Sequence, residues 1–85
     1  MPLKVSVISP ERTLFDGSVE SMVAPAFDGE VGILPGHAPM LTLLGKGLLR
    51  LGAEGSAARF NVEGGFLQVV DDAVRVVTER ATPAS

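Results

Sequence analysis

Ten glycines and six prolines are spread in single steps along these 85 residues, and they do not gather into one linker. Each one breaks regular structure where it stands, so the chain reads as short segments joined by turns. Within the segments hydrophobicity alternates with period two, as in Leu3-Lys4-Val5-Ser6-Val7, Ala58 to Glu63 and Val74 to Thr78. That period marks strands with one buried face. No segment longer than a turn shows an apolar face at helical spacing. Many short strands with frequent turn signals point to an all-β sandwich or barrel.

Taken in order, Ser9-Pro10-Glu11-Arg12 reads as a turn, and Thr13-Leu14-Phe15 as a short strand closed by an Asp16-Gly17 hairpin. Val19 to Ala24 continues the sheet with Met22 and Ala24 on one face and Ser21 and Val23 on the other. Pro25 to Gly29 reads as a loop, Glu30 to Leu34 as a strand ending at Pro35-Gly36, and Pro39 to Leu44 as an apolar strand. Gly45-Lys46-Gly47 is expected to be a tight turn into Leu48 to Leu51, and Ala53 to Ser56 the next turn. Ala58, Phe60 and Val62 are expected to face inward. Gly64-Gly65 breaks the chain before Phe66 to Val70, which pairs with Val74 to Thr78 around an Asp71-Asp72 turn. Phe60 and Phe66 are both expected in the core. One domain is expected over residues 1–80, with 81–85 as a loose tail.

Composition narrows the function. Hydrophobic residues make up 46% of the chain, enough for a core in a domain this small. Net charge is −3, and the seven Lys and Arg form no cluster, which argues against binding phosphate backbones or anionic lipid by charge. Trp and Tyr are absent and only four Phe occur, so base stacking has few platforms. Without cysteine there is no thiol chemistry, thiolate metal site or disulfide. The opening Met1 to Ser6 carries no basic-then-apolar signal pattern. The longest apolar runs fall far short of the roughly 20 residues that cross a bilayer as a helix, so any membrane contact is expected through a partner.

His37 is the only histidine. A catalytic role would pair it with Glu30 or Asp28, its nearest acids in sequence; a lone His in a Gly-Pro loop reads better as a hydrogen-bonding or interfacial turn residue. Zinc would need three or four ligands, which one His and no Cys do not supply. Asp71-Asp72 reads as turn chemistry. The glycines of Gly45-Lys46-Gly47 and Gly64-Gly65 match no phosphate loop and open no helix, so they read as hairpin glycines. The informative segment runs from Gly29 to Thr42, with three glycines and two prolines among apolar residues. Its rigidity suits a surface that meets a partner at low entropic cost. A small-ligand-binding sandwich, with this loop lining a pocket, is the competing reading.

Gly29-Glu30-Val31-Gly32-Ile33-Leu34-Pro35-Gly36-His37-Ala38-Pro39, followed by Leu41-Thr42, resembles the signature of the epsilon subunit of rotary ATP synthases almost residue for residue. Val7 to Phe15, Gly17 to Val23 and Gly64 to Val69 are similar to its flanking strands, so the resemblance covers about residues 3 to 80. It implies two antiparallel sheets packed face to face, with about ten short strands. It also implies a non-catalytic rotor subunit of a proton- or sodium-driven synthase, peripheral to the energy-transducing membrane on the side of the catalytic head. Its partners would be the gamma subunit and the membrane rotor ring, with no cofactor. The resemblance puts Asp28, Gly29, Glu30, His37, Pro39 and Met40 in the partner-contact region. Glu30 would meet the ring loops, while His37, Pro39 and Met40 would face gamma or brace that face. Family members commonly continue into an inhibitory two-helix domain. These 85 residues stop short of it and are expected to couple the rotor without extended-helix inhibition.

Overall fold

A computed structural model describes residues 2–52 and 58–84. Among them ten strands form two five-stranded sheets, and none of these residues is helical. The strands are β1 (Leu3–Ile8), β2 (Thr13–Val19), β3 (Met22–Ala26), β4 (Gly29–Ile33), β5 (Met40–Leu43), β6 (Lys46–Leu51), β7 (Ala58–Glu63), β8 (Phe66–Val70), β9 (Ala73–Val77) and β10 (Arg80–Pro83). The first sheet has the order β2-β1-β9-β8-β5 and the second β10-β7-β6-β3-β4. All neighbours are antiparallel except β1 and β9, which run parallel. The all-β sandwich expected from the sequence is therefore the fold.

The core lies between the sheets, and period-two alternation fills it. Leu3, Val5, Val7, Leu67, Val69, Val74 and Val76 come from the first sheet, and Met22, Ala24, Ile33, Leu49, Leu51, Phe60 and Val62 from the second. Among the described residues Thr78 is the buried polar one. Its hydroxyl lies within hydrogen-bond distance of the carbonyls of Glu63 and Arg80, at 3.3 and 2.9 Å, and its amide donates to Ile8 O at 2.9 Å. The one hydroxyl proton, just past the end of β9, thus ties the chain to the start of β10 at the shorter contact, with the end of β7 alongside.

Several expectations are corrected. Asp16-Gly17 is not a hairpin turn. It lies inside β2, opposite Ser6 and Val5 of β1, because β1 and β2 pair along their whole length. A Cβ at Gly17 would meet the Phe15 ring at 3.5 Å, an ordinary contact, so the glycine is not explained by crowding. Pro25 and Ala26 belong to β3, so the turn into β4 is only Phe27-Asp28. Gly45-Lys46-Gly47 is not a hairpin turn either. At Gly45 the chain leaves the first sheet for the second, with its amide on Pro25 O at 2.8 Å and so little space that a Cβ would lie 2.7 Å from Ala26 O. Gly64-Gly65 makes the reverse crossing, from β7 in the second sheet to β8 in the first.

Phe66 is not a core residue. Leu67 and Val69 point inward, so strand parity turns Phe66 to the outer face, where it is half-buried. The tail is not loose through residue 83. Arg80 to Pro83 pair with Glu63 to Phe60, and Pro83 is tolerated because β10 is an edge strand. The Asp71-Asp72 turn is present as expected. The turn expected at Ala53 to Ser56 lies outside the described residues.

Candidate functional site

The Gly29–Thr42 segment begins in the second sheet and ends in the first. β4 is the edge of one, β5 is the edge of the other, and residues 34–39 cross between them. The six residues singled out above therefore lie along one open side of the sandwich, but not in one cluster. Asp28 is in the β3–β4 turn and Gly29 opens β4. Glu30 is exposed on the outer face and pairs with Arg50 at 3.7 Å. Both partners are largely solvated, so this pair contributes at most about 1 kcal/mol. His37 and Pro39 lie at the opposite end of β4. The span from Gly29 to Ile33 is roughly 13 Å at the usual strand rise. Met40 is half-buried and packs against the core.

At the crossing, the His37 amide donates to Leu34 O at 3.1 Å, and the ring Nδ1 lies 2.7 Å from Ala38 O. A carbonyl only accepts, so that contact requires the Nδ1–H tautomer. The Gly36 amide donates to Asp72 Oδ1 at 2.7 Å. No hydrogen bond joins His37 to Asp28 or Glu30, so the His–carboxylate pair an enzyme would need is not assembled. Among the described residues no three His, Asp or Glu side chains group to hold a metal ion. A groove crosses the outer face of the first sheet over Lys4, Ser6, Asp16, Gln68 and Arg75, open to solvent and lined by charges of both signs. It does not enclose a ligand as small-molecule sites do.

The residues that sequence reasoning missed are apolar. Leu41 is 68% exposed, Leu43 62% and Phe27 68%. Leu41 and Leu43 stand opposite Gln68 and Phe66, so with Phe66 they form a shallow apolar groove along edge strand β5. Phe27 sits beside it, its amide on Leu43 O at 3.2 Å. The signal was present in the run Met40-Leu41-Thr42-Leu43-Leu44. Apolar residues on both faces of a strand imply cover on both faces, yet a strand of a two-layer sandwich meets the core on only one.

Fold and surface together define a small all-β sandwich domain with an uncovered apolar strip along β5 and no assembled reactive group among its described residues. The family model for the β-sandwich domain of the ATP synthase delta/epsilon chain matches residues 2–84, and the chain belongs to that family. It is 46% identical over 83 residues to an ATP synthase epsilon chain of Rhodopirellula baltica, covering 98% of this chain and 65% of that one. It is also 46% identical over 77 residues to the epsilon chain of Leptospira borgpetersenii, covering 91% and 61%. This chain thus spans about three fifths of the length of these relatives. Among solved structures, a chain of the Euglena gracilis mitochondrial ATP synthase OSCP/F1/c-ring assembly superposes with a TM-score of 0.87 at 25% identity, over 96% of this chain and 53% of that one. A chain of the Tetrahymena thermophila central stalk and c-ring shares the fold, with a TM-score of 0.78 at 18% identity, over 96% and 66%.

Proposed function

We propose that this chain is the stalk-docking sandwich of an epsilon-type subunit, a non-catalytic rotor part that joins gamma to the membrane rotor ring. The observation that carries the reading is the uncovered apolar edge. A domain of this size has little reason to leave Leu41, Leu43 and Phe27 in water unless a protein covers them. Gamma is the occupant of the β5 edge, from Pro39 through Leu41 and Leu43 to Phe66. The exposed corner of Asp28, Gly29 and Glu30, next to Phe27, meets the polar loops of the ring. Family membership and the likeness to a chain of an assembly that includes F1 and a c-ring support this assignment. The subunit then lies peripheral to the energy-transducing membrane, on the side of the catalytic head. Coupling is mechanical and needs no cofactor. Extended-helix inhibition is not assigned to residues 1–85, none of whose described members is helical.

The test is the double variant Leu41→Asp/Leu43→Asp. Both side chains are exposed, so the denaturation midpoint stays near wild type. Affinity for gamma is expected to fall roughly a hundredfold, about 2.7 kcal/mol, because two carboxylates are driven into an apolar contact. Glu30→Ala, by contrast, is expected to spare gamma binding and weaken capture of the ring by roughly tenfold. Gamma binding that survives both aspartates would remove β5 from the interface.

A further inference from the structure

The turn between β8 and β9 contains an anomaly. Asp71 has φ of 49° and Asp72 has φ of 62°, so both central residues of this two-residue turn are left-handed. Such a turn favours Asn or Asp followed by Gly. Asp71 fits the first place, whereas Asp72 occupies the place where glycine is preferred. The explanation lies 36 residues away. Asp72 Oδ1 accepts a hydrogen bond from the Gly36 amide at 2.7 Å, a short charge-assisted contact between the turn of the first sheet and the crossing that carries His37 and Pro39. Glycine would ease the turn but leave that amide without its carboxylate.

We propose that Asp72 is a positioning residue for the docking surface: it holds residues 34–39 in the shape that meets gamma, at the expense of ideal turn chemistry. This rests on the function proposed above. The loop links two edge strands and carries Pro35 and Pro39, so its own backbone is already restricted. Fixing Gly36 at its centre removes much of the freedom that remains. Docking then loses less entropy, and the benefit appears as affinity.

Two substitutions separate this role from a structural one. Asp72→Gly suits the left-handed turn and is expected to keep or raise the denaturation midpoint, while the Gly36 amide exchanges with solvent at least roughly tenfold faster and affinity for gamma falls roughly tenfold. Asp72→Asn keeps an acceptor oxygen and tolerates the left-handed region, so it is expected to restore both the slow exchange and most of the affinity. Unchanged Gly36 exchange in Asp72→Gly would show that the contact does not order the loop. Faster exchange with unchanged affinity would show that the ordered loop positions nothing. If wild type itself fails to bind gamma while Gly36 responds as expected, the functional reading falls and takes the docking role with it, leaving only a fastened loop.

Discussion

Gly65→Ala is expected to destabilise the domain by roughly 3–5 kcal/mol, combining left-handed strain with forced backbone displacement. Gly65 has φ of +99°, and a Cβ there would overlap the carbonyl oxygen of Val77 and lie 2.8 Å from Thr78 Cα. These are backbone atoms at the end of β9, held in turn by the Thr78 hydrogen bonds, and they have nowhere to move. Total stability for a domain of this size is about 4–13 kcal/mol, at roughly 0.05–0.15 kcal/mol per residue. The variant should therefore unfold at much lower urea or fail to accumulate. Gly64→Ala is the control: its Cβ meets only the Glu79 side chain, which can swing away, so about 1 kcal/mol of strain at φ +72° is expected. Equal midpoints for the two variants would mean that the crossing is not the tight point described.

Phe60→Ala is expected to cost roughly 3–5 kcal/mol, because it leaves a phenyl-sized cavity between the sheets. Phe60 is 8% exposed, on the inner face of β7, with Leu49 on one side and Pro83 on the other in the strand register. Phe66→Ala is expected to cost about 1 kcal/mol or less in stability, since its ring is half-exposed on the outer face, yet to weaken gamma binding. Urea melts of the two variants check the pair. Comparable losses would put both rings in the core and contradict the parity of β8.

Strand parity explains what the sequence made legible. Where polar and apolar residues alternate strictly, as in Ala58 to Glu63 and Leu3 to Val7, both the strand and its inner face were readable, because water sorts the two faces. Asp71-Asp72 was readable because its turn joins adjacent strands. The misread glycines share one cause. Gly17 sits inside a paired strand and Gly45 and Gly65 at passages between sheets, none of them in a hairpin turn, and local sequence does not show which strands become neighbours. Arg80 to Pro83 escaped for a related reason: an edge strand paired on one side needs little hydrophobic signal, and here only Ala81 packs on the core. The Gly29–Thr42 segment stood out through its motif. That Leu41 and Leu43 are exposed was not legible, since it depends on which face of β5 turns away from the core.

Hydrogen–deuterium exchange on the 85-residue chain, alone and saturated with gamma, tests the docking claim most directly. Binding at the β5 edge predicts slowed exchange in residues 36–44 and 66–68, with little change in β2 and β10 at the far side of the two sheets. Slowing confined to β2 and β10, with residues 36–44 unaffected, would contradict the account.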